Sequence, residues 1–279
     1  MTKANYIANE MGIDTISLGG SIACAMELSE KGYLPEEDVG IGRKLKFGDA
    51  HALVELAKMA GERTGFGHLL SQGSLRLATK YGHPELAMVS KGQETAGYEP
   101  RGAQGMGLAY ATSPIGASHM RGETAYSEIL SVPIKTEPLG WRGKAKMCKD
   151  FQDNSCIIDS AGLCVFFSIR ALVDPTNLDL HPVGIVGLLN AVTGADYTVE
   201  ELEKVGERIF NAERKLVVRM GFSRKDDTLP KRFTHESMPF GAAKGSVVHL
   251  DEMLNEYYQL RGWTQDGIPT EDKLRELGI

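Results

Sequence analysis

A carboxylate, a glycine and a thiol stand at short fixed spacing in Asp159-Ser160-Ala161-Gly162-Leu163-Cys164, beside an apolar run. An ionised carboxylate among Ile157, Ile158 and Leu163 is costly unless donors meet it, so Asp159 is expected to face a ligand or several backbone N–H groups. Gly162 lets the backbone approach that ligand closely. Cys164 then falls at the ligand's edge, where a thiolate binds metal. The same residues admit another reading, in which Asp159 caps a helix over residues 160–171 and Cys164 is a small core hydrophobe. Near the start, Asn9-Glu10-Met11-Gly12-Ile13-Asp14 repeats the frame: a polar residue, two variable positions, Gly, an aliphatic residue and a ligand-type side chain. Two loops gripping one pseudo-symmetric ligand and a chance recurrence both remain open.

His119 and Arg121 lie in a segment whose Pro114, Gly116 and Gly122 allow tight turns. Histidine handles protons near neutral pH, and arginine offers a cation to a phosphate or a polarised ring oxygen. A structural or solvated pair has the same composition, and spacing does not choose between them. Gly105-Met106-Gly107 has no strand before it and fails as a dinucleotide signature. Glu94 and Glu99 are better read as solvated loop acids than as a hydrolytic pair.

The elements that must position these residues read as helices. A helix from about Ile16 to Lys31 is capped by Asp14 and Thr15 and stopped by Gly32. Asp49 to Ala60 is closed by Gly61, and Ser74 to Tyr81 by Gly82. Lys91 to Gly122 is rich in glycine and reads as one long irregular, functional segment. Helical patterns resume after Asp159: Pro182 to Val192, then a capping box at Thr198-Val199-Glu200-Glu201 that opens a long helix. Along that helix Leu202, Val205, Ile209, Ala212 and Leu216 form the expected buried stripe, and Gly221 ends it. Asp251 to Leu260 stops at Gly262, and Thr270 caps the last helix. Few period-two runs compete, so the expected class is mainly α, with domains over residues 1–88 and 89–279.

At 279 residues, 42% hydrophobic and 24% charged, the chain has the composition of an ordinary soluble globular protein. No run approaches a membrane span and the first residues lack a signal-peptide core, so the expected location is cytoplasmic. The formal charge of −6 and the lack of long basic runs argue against nucleic acid. The four cysteines, Cys24, Cys148, Cys156 and Cys164, form neither a disulfide framework nor a C-x-x-C pair.

Taken together, these motifs resemble the aldehyde:ferredoxin oxidoreductase family, enzymes that carry tungsten on two pterin-dithiolene cofactors. The D-x-x-G-L-C loop and its sister at Gly12 to Ser17 carry the resemblance. So do Tyr98-Glu99-Pro100-Arg101-Gly102, Gln104 to Ser113, His119, Glu213-Arg214, Gly221 to Asp227 and Tyr257 to Trp263. The family's second and third, helical domains are matched. Its amino-terminal β domain, three clustered cysteines and a glutamate near tungsten are expected to be absent from this chain.

The resemblance implies roles for single residues. Asp14 and Asp159 would accept the adjacent N–H donors of a pterin's aminopyrimidinone edge, with Ile13 and Leu163 alongside. Asn9 stands where the family has Asp, and an amide accepts fewer bonds. Arg121 matches a basic pterin-contacting position, while Ile115 replaces a common arginine. His119 matches the histidine beside the metal that handles protons. Cys164 matches the one cysteine of this half that ligates a four-iron four-sulfur cluster, which a single thiolate does not hold alone. The implied cofactors are tungsten or molybdenum on two pterins and the cluster. The implied partners are an aldehyde or related carbonyl, ferredoxin and a β-domain chain if the gene is split, with a homodimer also admitted. A non-catalytic partner-binding module and a reductase of aromatic thioester rings are the competing readings.

Overall fold

A computed structural model of the chain describes residues 1–168 and 182–279. It is mainly helical, and the chain divides into two compact units. The first comprises Met1–Gly97 with Ile115–Ser118 and Leu229–Arg232, and the second comprises Tyr98–Pro114, His119–Thr228 and Phe233–Ile279. The contacts therefore place the change after Gly97 and return the chain twice to the first unit, a division more interleaved than one cut between residues 88 and 89. Among the described residues no helix is long and apolar enough to cross a membrane.

The first unit contains α1 (Thr2–Glu10), α2 (Thr15–Glu30), α3 (Glu36–Val39), α4 (Ala50–Glu62), α5 (Gly67–Leu70) and α6 (Ser74–Lys80). The short antiparallel strands β1 (Val89–Ser90) and β2 (Gln93–Glu94) follow, with Val89 opposite Glu94. Asp14 starts α2 by accepting the Ser17 N–H at 2.7 Å, and Asp49 starts α4 by accepting that of Ala52 at 2.8 Å. Leu18, Ile22, Ala25 and Leu28 of α2 recur at helical spacing and are buried in a core with Leu56 and Leu77. α4 runs past its expected stop: Gly61 is helical, and Arg63 closes the helix in the left-handed region at φ 54°. A Cβ on Gly61 would come 2.7 Å from Met11 Cγ, so this glycine serves close packing instead of a stop.

The second unit contains α7 (Gln104–Thr112), α8 (Ala125–Leu130), α9 (Lys144–Ser160), α10 (Val165–Ser168), α11 (Val183–Thr193) and α12 (Val199–Arg219). α13 (Lys231–His235), α14 (Leu250–Arg261) and α15 (Glu271–Leu277) complete the chain. α9 packs against α7, α12 and α14 and is the unit's central element.

Neither α7 nor α9 is expected from the sequence. α7 is buried along its whole length inside the glycine-rich stretch, so it shows no polar face and no helical period. α9 hides its period differently, because its buried face carries Gln152, Asp153, Asn154 and Ser155. Arg261 of α14 donates to the Asp153 carboxylate and to Gln152 Oε1, and the Tyr257 hydroxyl donates to the same amide oxygen. The Gln152 and Asp153 part of this polar core is held by these hydrogen bonds, and hydrophobic patterning does not reveal it.

The capping box on α12 is present, with Thr198 Oγ1 accepting the Glu201 N–H and Glu201 accepting the Thr198 N–H. Its buried stripe is rotated from the expected one. Leu202, Gly206, Phe210, Arg214 and Val217 face inward, while Leu216 is 60% exposed. Arg214 is buried because Asp227 takes both of its terminal nitrogens, at 2.9 and 2.7 Å.

Candidate functional site

The two repeated loops are the same backbone joint, one in each unit. In the first, the Gly12 N–H donates to Asn9 O at 3.2 Å and the Ile13 N–H to Ala8 O at 2.9 Å. In the second, the Gly162 N–H donates to Asp159 O at 3.1 Å and the Leu163 N–H to Ile158 O at 3.0 Å. Both are Schellman caps with a left-handed glycine, at φ 66° for Gly12 and 70° for Gly162. Each glycine is needed for this φ; no protein atom would lie within 4 Å of a Cβ at either one. The aliphatic residue after each glycine packs down on its unit's core, Ile13 in the first and Leu163 in the second. Asn9 and Asp159 thus stand in the last turn of a helix, and Asp14 and Cys164 at the entry to the next.

This geometry overturns the alternative reading of the second loop. Asp159 is the penultimate residue of α9 and caps no following helix. Cys164 is exposed, whereas Cys24, Cys148 and Cys156 are buried. Residues 169–171, the far end of the helix expected there, lie outside the described residues.

Arg121 and Asp159 meet, although 38 residues separate them. Arg121 Nη1 donates to Asp159 Oδ2 at 3.0 Å, and its Nη2 lies 3.2 Å from Glu213 Oε1 on α12. The Asp159 side chain is half exposed, and a carboxylate has lone pairs left for a further donor. Burial pushes the Glu213 carboxyl above its ordinary range, and Arg121 works against that. Asp14 and Asn9 are exposed; Asp14 keeps one oxygen on the α2 cap and the same spare capacity.

His119 is largely buried, with its side chain 18% exposed, and its ring centroid lies 5.8 Å from that of Tyr98. Its Nε2 is 3.8 Å from Oε2 of Glu123, a residue that is only 1% exposed. Among the described residues neither oxygen of Glu123 has a hydrogen-bond partner. Burial raises the Glu123 carboxyl from 4.5 to about 7. Gly122 sets this residue in place at φ 111°, where a Cβ would come 2.8 Å from Gln152 Cγ of α9. Sequence reasoning missed Glu123; the available signal was an acid four residues after His119 between Gly122 and small side chains.

Among the described residues no group of three or more His, Cys, Asp or Glu side chains is placed to hold a metal ion. The buried thiols of Cys24, Cys148 and Cys156 are pushed up to about 12 by desolvation, which disfavours the thiolate. Of the four cysteines Cys164 alone offers its sulfur outward, and an exposed thiol of this kind could serve as a single cluster ligand but does not make a site by itself.

The family description "Aldehyde ferredoxin oxidoreductase, domains 2 & 3" matches residues 1–279. A tungsten-containing aldehyde ferredoxin oxidoreductase of Pyrococcus furiosus is 46% identical over 99% of this chain and 45% of its own length. One from Thermococcus kodakarensis is 44% identical with the same coverage. An aliphatic sulfonate oxidoreductase, WOR-like subunit, of Pyrococcus furiosus is 29% identical over 99% of this chain and 42% of its own. Among solved structures, the active site complex BamBC of benzoyl coenzyme A reductase with 1,5-dienoyl-CoA superposes with a TM-score of 0.68. It is 22% identical over 97% of this chain and 45% of that one, a likeness of fold. The chain thus spans about half the length of the curated relatives it matches. On the full-length family match and these identities, the chain belongs to the aldehyde ferredoxin oxidoreductase family, over its domains 2 and 3.

Proposed function

We propose that this chain is the helical part of a tungsten or molybdenum pterin oxidoreductase that oxidises an aldehyde or related carbonyl to the acid. The observation that carries the reading is the repeated Schellman joint, which gives each unit one loop of identical hydrogen bonding with ligand-type side chains at its two ends. On this reading Asn9, Ile13 and Asp14 hold one pterin, and Asp159, Leu163 and Arg121 hold the other. The carboxylates accept ring N–H donors, and Arg121 holds Asp159 in orientation. The aliphatic residues exclude water from the pterin face.

The bound metal supplies the two-electron chemistry, while the chain's residues orient, exclude water and handle protons. His119 takes or gives the proton at the reacting carbonyl. Cys164 would hold one iron of a four-iron four-sulfur cluster, which would supply electron transfer to ferredoxin in the cytoplasm. The remaining cluster ligands and the β-rich cradle come from outside the residues described, in the same polypeptide or a separate one.

The test is a reconstitution with the β-rich part in the presence of tungstate, followed by metal, pterin and dye-reduction assays. Asp159→Ala and Asp14→Ala are each expected to lower pterin and tungsten content, and His119→Ala to keep both yet lower turnover by roughly 10²- to 10⁴-fold. Full tungsten occupancy in the double Asp14→Ala, Asp159→Ala variant would refute the assignment of the loops.

A further inference from the structure

The second unit satisfies its other buried carboxylates. Glu128 accepts the Gly105 and Met106 N–H groups, the Thr124 hydroxyl and the Lys144 ammonium. Asp153 is met by Arg261 and Lys149, and Asp227 by Arg214 and the Tyr258 hydroxyl. In the first unit Glu94 takes the Ser74 N–H at 2.7 Å and its hydroxyl at 2.8 Å. Glu123 is the exception: it is as buried as these, and both its oxygens lack a partner. An orphaned carboxyl costs about 1–3 kcal/mol and more if charged, so a fold that satisfies its other buried acids would not keep this one for stability.

Its position shows what it can act on. Tyr98 and, on α7, Tyr110 feel its charge. Burial raises both Tyr98 and Tyr110, so neither phenol releases a proton near neutral pH. A titratable neighbour on the same loop is His119, at 3.8 Å. That gap is longer than a hydrogen bond, and a ring movement of about 1 Å closes it.

We propose that Glu123 is the positioning residue of His119 and that the two share one proton. One state is a carboxylic acid beside a neutral imidazole; the other is a carboxylate beside an imidazolium. The proton passes between Glu123 Oε2 and His119 Nε2, and the pair's net charge is unchanged, so the transfer adds no net charge to the buried pocket. The desolvated carboxyl supports this, because burial raises it to about 7, into the range where histidine side chains ordinarily titrate. Glu123 thereby acts through His119, making the imidazole part of a pair that can donate or accept a proton near pH 7. The inference rests on reading His119 as the proton-handling residue.

The test is NMR titration of the His119 ring in the full 279-residue chain, beside Glu123→Gln. The variant is expected to lower the His119 midpoint by about one pH unit, since the carboxylate that favours the imidazolium is gone. An unmoved His119 midpoint in a folded Glu123→Gln chain overturns the proposal. If Glu123→Gln does not fold, the Glu123 carboxyl is followed by ¹³C in His119→Gln instead. Loss of the neighbouring cation should then move its midpoint upward, and no movement overturns the proposal equally. Activity of the reconstituted enzyme separates the two ideas. Coupled titrations with full turnover in His119→Ala defeat the role of His119 but not the shared proton. Uncoupled titrations with turnover lost in His119→Ala do the reverse.

Discussion

Replacing Glu123 by Gln should make the second unit more stable at alkaline pH and leave it nearly unchanged at acid pH. Burial raises this carboxyl from 4.5 to about 7, so the folded state holds the proton more tightly than the unfolded chain does. For a raised pKa the associated stability is fully present below pH 4.5 and is lost as pH rises through about 7. At 1.36 kcal/mol per pH unit, the wild type gives up roughly 3 kcal/mol across that window. Glutamine is nearly isosteric and does not titrate, so the variant escapes the loss. The stability difference, variant minus wild type, should therefore climb by roughly 3 kcal/mol between pH 4.5 and 8. Asp150 and Glu213 are also raised by burial, but both proteins carry them and they cancel in the difference. Both tryptophans, Trp141 and Trp263, belong to the second unit, so their fluorescence follows its unfolding in urea. A difference that stays flat over this range would show that Glu123 is not a desolvated acid in solution.

Cys164 should be the one thiol that iodoacetamide labels rapidly in the native chain, because the other three are buried and their thiolates disfavoured; peptide mass mapping reads this directly. Asp153→Ala should destabilise the second unit by about 3–5 kcal/mol, since it leaves Arg261 buried without its carboxylate; urea unfolding at pH 7 checks it. Asp14→Ala should cost the first unit about 1 kcal/mol through the lost α2 cap, while Asp14→Asn keeps the cap, as measured by thermal unfolding. A loss of pterin in Asp14→Asn with stability intact would then report on the ligand and not on the fold.

The sequence by itself determined whatever is settled within one turn of chain. Asp14, Asp49, Thr198 and Thr270 start helices by accepting an N–H three residues on, and Gly12 and Gly162 take a left-handed φ, so both are readable from residue type and spacing. The repeat of the two loops was legible for the same reason, since each is a local hydrogen-bonding pattern. Tertiary structure alone decided the rest. The residue before α6, Gly73, has no side chain to cap it, and Glu94, 20 residues after Ser74, accepts the Ser74 N–H instead. α9 is invisible to patterning because its buried polar face is answered by Arg261, 108 residues away. Arg121 finds Asp159 across 38 residues, and Glu123 becomes a raised acid because the fold buries it with no hydrogen-bond donor among the described residues. Partners so far apart in sequence leave no period or spacing to read; burial and charge at these sites follow from which elements pack together.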